Sequence, residues 1–394
     1  MKEGMWRFDN IQKAYIVTFF ATLYFIAPIL VLFYQENLLS YTQIFMLQSW
    51  FTFLIVVLEV PSGALADLFK RRTVLIFSLL CYVLGFGIYS LSYSFLGFLI
   101  AETLWATSSA FRSGTGEAFI YDSLKELNRE DEAKQTYANL QAISLISVAI
   151  SSLVGAFFAN FFGLRSVFFL SLCAALVAWF LQLSYKEPVH ERKEFSLTNF
   201  ADQIKESIKI TFVSKSLSAL MFNSAIIAGI LIAVAWYYQP HMKASGIPLP
   251  IFGTIYACIY VGSALLVKKV PHIESYVGPS KTLFVFDIGA VIAVFCFSFL
   301  FNPVVSVLCI FAIGTVRSIR NALFNDYLNR FISSDKRATV LSLNHFFISL
   351  VFTILGPISG FISDRFTFSH TLFGLGILLL ISVMMLRIGE GVIE

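Results

Sequence analysis

The chain has 394 residues, 58% hydrophobic and 13% charged, with 43 phenylalanines and a mean hydropathy of +0.79; soluble domains carry roughly 25% charged residues. That balance excludes a soluble globular protein and marks an integral membrane chain in contact with the lipid bilayer. The net charge of +4 gives no reason to expect a nucleic-acid partner, because a basic excess in such a chain follows from which loops stay in the cytoplasm.

A membrane helix needs about 20 mostly apolar residues, and such runs occupy 14–34, 42–64, 73–92, 95–118, 138–159, 163–184, 217–238, 248–267, 281–300, 303–323, 339–362 and 368–387. Lys2, Arg7, Asp9 and Lys13 lead into the first run, which is too long for the core of a cleavable leader. Twelve spans put both termini on one side. Sorting the lysines and arginines by segment gives 22 on the side of the termini against three (Arg165, Lys243 and Arg365) on the other. Short cationic loops remain cytoplasmic, so both termini are expected there, in a bacterial inner membrane crossed many times.

The polar stretch 186–215 divides the spans six and six. Its apolar spacing at Phe200, Ile204, Ile208 and Phe212 predicts an amphipathic helix along the membrane surface. The expected domains are therefore a six-helix half over 1–185, this linker, and a second six-helix half over 216–394. A weak internal repeat supports them: Glu117 to Leu124 aligns with Asn321 to Leu328 at an offset of 204, sharing Ala, Asp and Leu at the end of the fourth span of each half.

Between the second and third spans the chain reads Glu59-Val-Pro-Ser-Gly-Ala-Leu-Ala-Asp-Leu-Phe-Lys-Arg-Arg72. This stretch resembles the signature loop of the major facilitator superfamily, Gly-x-Leu-Ala-Asp-Arg-x-Gly-Arg-Lys. Gly63, Leu65, Ala66, Asp67, Arg71 and Arg72 match, while Leu68 and Lys70 depart from it. Glu59-Val-Pro-Ser-Gly, Ser113 to Leu124 and Arg337-Ala-Thr-Val-Leu-Ser-Leu are similar to a bacterial branch often described as drug or metabolite exporters. The resemblance implies an all-α integral membrane fold of twelve transmembrane helices in two pseudo-symmetric six-helix halves, rocking about a central site. It also implies that Asp67 meets the eleventh span and nearby cations when the cytoplasmic side is closed. Two departures stand out. The fifth span holds only Gly155 where exporters carry Gly-Pro-x-x-Gly-Gly, and Glu102 falls near the place of a central antiporter arginine.

Ionisable groups inside a span cost a few kcal/mol each on insertion scales, so each is a candidate for function. Glu59, Glu102, Arg112, Glu117, Asp287, Arg317 and Arg320 form that inventory, with Asp67 and Asp122 at helix ends. Arg112 lies at a depth similar to Glu59, Asp67 and Glu117, and a pair with one of them would make a cytoplasmic gate together with Gly63, Arg71, Arg72 and Asp122. Glu102 supplies a protonatable group within the membrane, with Asp287 as its reserve in the other half. Tyr24, Gln48, Trp105, Asn223, Asn344 and His345 are the candidates for the substrate cavity. For most of them packing or interhelical hydrogen bonding is as good an explanation.

The five cysteines lie inside apolar runs without metal-ligand spacing, and the five histidines are scattered singly, so no metal, cofactor or catalytic cluster is expected. No phosphate-binding loop of the Gly-x-x-x-x-Gly-Lys-[Ser/Thr] form occurs, which points away from direct use of ATP. The expected function is secondary transport of a small molecule by alternating access, coupled to protons, with efflux of an amphipathic compound favoured over uptake of a nutrient or metal chelate. A membrane-embedded enzyme and a non-transporting sensor are the remote rivals. The chain is expected to work as a monomer.

Overall fold

The structure, a computed structural model, describes residues 9–189, 214–332 and 337–393; the expected linker helix lies mostly outside them. Sixteen α-helices and one short 3-10 turn make up the described secondary structure. They are α1 (Asn10–Ala21), α2 (Leu30–Glu36), α3 (Tyr41–Leu68), α4 (Arg71–Leu91), α5 (Phe95–Glu126), α6 (Ala133–Phe162), α7 (Leu164–Leu183), α8 (Lys215–Ala235) and α9 (Tyr238–Ala244). There follow α10 (Leu249–Val267), α11 (Val270–Val277), α12 (Pro279–Phe299), α13 (Pro303–Arg330), α14 (Arg337–Arg365), α15 (Phe368–Met385) and α16 (Glu390–Ile393).

Local chemistry sets several of these boundaries. Asp9 caps α1 with its carboxylate on the Gln12 amide while the Gln12 side chain accepts from the Asp9 amide, a reciprocal capping box. Ser94, Ser214, Asn302 and Thr367 cap α5, α8, α13 and α15 in the same sense, each accepting from an amide of the first turn. The turn between α3 and α4 is only Phe69 and Lys70, because α4 already begins at Arg71.

Ten helical stretches among the described residues are long and apolar enough to cross a membrane. The two other expected spans differ for distinct reasons. The run 14–34 is not one helix: α1 closes at Thr22, whose amide reaches the Thr18 and Phe20 carbonyls, and Pro28 in the gap has no amide to give a helix. The broken segment rests on α6, where a Cβ added at Gly155 would lie 1.9 Å from the Phe25 carbonyl oxygen. Only glycine leaves room there for the backbone. The run 95–118 is instead longer than expected, a 32-residue α5 that carries Glu102, Arg112, Glu117 and Asp122.

The chain divides into two compact units, one of residues 1–30 and 50–195, the other of 31–49 and 196–394. In unit 1, Ile11, Val17, Leu75, Leu79, Phe119 and Leu124 share a core. In unit 2, Leu217, Met221, Leu283, Leu323, Phe324 and Tyr327 do the same. Large apolar side chains such as Phe157, Phe161, Phe180, Leu265 and Phe361 stay exposed, as a lipid solvent allows and water does not. In unit 2, α14 passes close to the start of α3. A Cβ at Gly360 would meet the Tyr41 carbonyl at 2.6 Å, and one at Gly356 the Ser49 hydroxyl at 2.9 Å, so this small-x-x-x-small pair acts as a packing groove. At the same contact Asp364 accepts hydrogen bonds from the Tyr41 and Thr42 amides, both at 2.8 Å, and from the Thr42 hydroxyl at 2.6 Å.

Candidate functional site

Unit 1 gathers charge at the end where α3, α4 and α5 meet the basic loops. Arg71 approaches Asp122 to 2.5 Å as an ion pair, both side chains mostly buried, although the contact lacks hydrogen-bond angles. Glu187 accepts from the Arg71 and Arg72 amides at 2.8 and 2.9 Å, which places a carboxylate at the positive end of the α4 dipole. The Arg72 guanidinium reaches the Leu183 carbonyl at 2.8 Å. Of the expected gate residues, then, Arg71, Arg72 and Asp122 are brought together. Gly63 and Asp67 lie in the last turns of α3, where the side chains from Val60 to Leu68 are outside the described set, and Glu59 is exposed on the same helix.

Arg112 sits apart from Asp122, on the wall of a cavity of about 660 Å³ within unit 1. Its neighbours there include Thr18, Glu117, Gln141, Ser144 and Gln182 from α1, α5, α6 and α7. Among the described residues no carboxylate lies within ion-pair distance of Arg112. The cavity therefore combines a cation and a carboxylate, Arg112 and Glu117, with amide and hydroxyl groups, surrounded by Val17, Leu75, Leu79 and Phe119. Such a mixture suits a ligand with an apolar body and a few polar points.

Glu102 lies elsewhere on α5, seven residues after Phe95 and thus about 10 Å from the helix start. It is 1% exposed, and the Tyr89 hydroxyl donates to its Oε1 at 2.5 Å. Tyr89 is held in turn between Phe98 and Phe168, stacked at 5.5 and 5.1 Å, with Trp105 at 4.8 Å. Trp105 fits where a Cβ on Gly85 would be 2.7 Å from its ring. It meets Tyr24 at 5.8 Å, and among the described residues its buried indole N–H has no hydrogen-bond partner. Two of the cavity candidates, Tyr24 and Trp105, thus belong to the aromatic wall around Glu102.

Unit 2 treats its buried acid differently. Arg320 of α13 places one nitrogen 2.6 Å from both carboxylate oxygens of Asp287 on α12. A second nitrogen donates to Asn223 Oδ1 at 2.6 Å, and Asn223 donates to the Leu386 carbonyl at 2.8 Å. All three residues are nearly inaccessible. The expected cavity residue Asn223 is consequently an orienting member of an ion-pair network that ties α8, α12, α13 and the end of α15 together. Gln48 donates to the Tyr34 hydroxyl at 3.3 Å. Asn344 is buried, its Oδ1 without a hydrogen-bond partner among the described residues, and His345, next to it on α14, is exposed.

Sequence reasoning missed Glu187, Asp364 and Tyr89. An acid just after the sixth apolar run and another just past the eleventh were the available signals for the first two; one tyrosine among sixteen gave none.

Known proteins share both the sequence pattern and the fold. The family described as Major Facilitator Superfamily matches residues 14–354. An uncharacterized MFS-type transporter, YxaM, of Bacillus subtilis (strain 168) is 24% identical over 373 residues, covering 92% of this chain and 91% of that protein. A putative metabolite transport protein of Haemophilus influenzae is 24% identical over 249 residues, 61% of this chain and 60% of its own length. Among solved structures, the nucleoside transporter NupG superposes with a TM-score of 0.79 at 11% identity, covering 96% of this chain and 98% of its own. A bacterial homolog to the human lysosomal transporter Spinster, solved inward-facing and unoccupied, gives 0.76 at 14% identity, with 96% and 95% covered. At these identities the superpositions show the fold alone.

Proposed function

The chain belongs to the major facilitator superfamily, and on that premise we propose that it is a proton-coupled secondary transporter that exports a small amphipathic compound. Membrane transport of a small molecule by alternating access is the activity of the fold. Proton coupling, direction and substrate class are the steps added here. The observation that carries the coupling is Glu102, a carboxyl buried to 1% exposure with a tyrosine hydroxyl on one oxygen. A carboxyl in that setting exchanges a proton when water or a ligand reaches it, and its charge then alters which state of the transporter is favoured.

Asp287 is less suited to the task. Protonating it removes the counter-charge of Arg320 at a site already closed by Asn223, and an uncompensated buried charge is strongly unfavourable. In this reading twelve spans form two halves, with α1 and α2 together making the first and α5 the fourth, and both termini lie in the cytoplasm. The Arg71–Asp122 pair and Glu187 fasten the cytoplasmic ends of α4 and α5, and Asp67 meets Arg112 or its neighbours as the gate closes.

Efflux rests on the motif resemblance to exporters. Deleting the gene and screening growth separates it from uptake: hypersensitivity to toxic compounds supports export, starvation on one nutrient or metal chelate shows uptake, and an unchanged profile in both screens counts against the proposal.

A further inference from the structure

The cavity of unit 1 holds charges that its apolar wall does not need. It is bounded by residues of α1, α4, α5, α6 and α7 and by Tyr185, all within that unit. Packed interiors leave few voids larger than a water molecule, and a cavity of about 660 Å³ falls in the range of roughly 300–1,000 Å³ that takes a small organic ligand. The deep wall is apolar: Leu75, Leu79 and Phe119 are at most 3% exposed. Tyr185 stacks on Phe119 at 4.8 Å and fixes that side of the cavity.

Three polar groups on the lining are left unmatched by the protein. Gln182 of α7 is 3% exposed, and among the described residues its Oε1 has no hydrogen-bond partner. An amide oxygen can only accept, and buried polar atoms without partners are rare in native structures, so this oxygen calls for a donor. Arg112 is half-buried and has no carboxylate within ion-pair distance among the described residues. Glu117 follows five residues later on α5, about 7.5 Å along the helix axis, and has no cation within ion-pair distance among the same residues. It is exposed, and the Tyr137 hydroxyl donates to its backbone carbonyl at 2.9 Å, tying α6 to α5 at the cavity wall.

We propose that this cavity binds a zwitterionic amino acid with an apolar side chain. Arg112 takes the carboxylate through a charge-assisted hydrogen bond, Gln182 Oε1 accepts from the ammonium group, Glu117 supplies its countercharge, and Leu75, Leu79 and Phe119 enclose the side chain. The charge count decides the class. An anion without an amine satisfies Arg112 but meets the Glu117 carboxylate and brings no ammonium donor to Gln182. An amine without an acid meets Arg112 with like charge, and such mismatches are how a site rejects the wrong ligand. A compound of both signs leaves the cavity neutral. The assignment rests on the transport reading and narrows its small amphipathic compound to this class.

The test is thermal unfolding of the purified full chain at neutral pH and constant ionic strength, with probes that share one ring. They are L-phenylalanine, hydrocinnamate, which lacks the ammonium, and phenethylamine, which lacks the carboxylate. A ligand that binds only the folded state raises Tm in a saturable way. Phenylalanine does so for the wild type, and each singly charged analogue binds about ten- to a hundredfold more weakly, the loss of one hydrogen bond to a charged group. Arg112→Gln weakens phenylalanine by a similar factor without weakening phenethylamine. Gln182→Met keeps the side-chain length, removes the acceptor oxygen and erases most of the preference for phenylalanine over hydrocinnamate. No saturable shift of the wild type with phenylalanine, an analogue as effective as phenylalanine, or unaltered phenylalanine affinity in Arg112→Gln overturns the proposal. Should Arg112→Gln fail to fold, Gln182→Met and Glu117→Gln decide, and an undiminished preference for phenylalanine over hydrocinnamate in both overturns it. Binding in detergent requires no gradient, so its failure removes the zwitterion site and leaves the transport reading standing. Phenylalanine binding without any gradient-driven flux does the reverse.

Discussion

Each unit holds a long helix with an acid near its end and a buried acid within its spans, and the chemistry around those acids differs. Asp122 of α5 and Asp326 of α13 each stand four residues before the end of the helix, at the expected offset of 204. Asp122 reaches across to Arg71 at 2.5 Å, whereas Asp326 pairs with Arg330 one turn along its own helix at 2.6 Å. The middles diverge further. The acid within α5, Glu102, is touched by a phenol among aromatic rings, while the acid facing α13, Asp287, is locked by a guanidinium. The two helices stop at matching distances from their acids, while one buried carboxyl accepts from a phenol and the other pairs with a guanidinium.

The largest expected effect follows from the locked acid. Asp287→Ala leaves Arg320 buried without its counter-charge and should destabilise the protein by about 3–5 kcal/mol, seen as loss of folded yield or a large fall in Tm. Replacing both partners with apolar residues, Asp287→Leu with Arg320→Met, should recover most of that loss. A double variant no better than the single one would mean that the pair is not the isolated unit described here. Next in size is Gly155→Ala, whose Cβ would sit 1.9 Å from the Phe25 carbonyl. Overpacking of that kind costs about 1–3 kcal/mol, and a Tm equal to wild type would show that the gap between α1 and α2 yields freely. Smaller again is Asp364→Ala, which removes the cap on the first turn of α3; about 1 kcal/mol is expected, reduced by the exposure of the carboxylate, and hydrogen exchange at the Tyr41 and Thr42 amides is the direct readout. The smallest change in stability should come from Glu102→Gln, about 1 kcal/mol or less, because the amide retains an acceptor for Tyr89. An unfolding loss as large as that of Asp287→Ala would place Glu102 in the same locked class and erase the contrast between the units.

Much of the helical architecture is legible in the residues, because runs of apolar side chains report spans directly. The exceptions have physical causes. The run 14–34 reads as continuous because hydropathy counts side chains, and the break depends on a backbone carbonyl seated against Gly155. The run 95–118 reads as too short because charges lower its hydropathy although α5 continues to Glu126. The candidate acids were visible for the same reason that makes them costly, their charge inside apolar text. Their partners were not, since Asp287 and Arg320 are 33 positions apart and Asn223 lies 97 positions from Arg320. Gly356 and Gly360 resemble a kink around Pro357, but α14 continues through them, and the groove they form against Tyr41 and Ser49 becomes clear only when α3 is placed beside them.

The most direct test of proton coupling at Glu102 is flux. The wild-type chain and Glu102→Gln are reconstituted in proteoliposomes with the substrate identified by the growth screen, and uptake is followed with and without an imposed pH difference. The wild type should accumulate substrate only with the gradient, and Glu102→Gln should still equilibrate it across the membrane but never exceed equilibrium. Full gradient-driven accumulation by Glu102→Gln would contradict coupling at this carboxyl and make Glu102 a structural hydrogen-bonding residue.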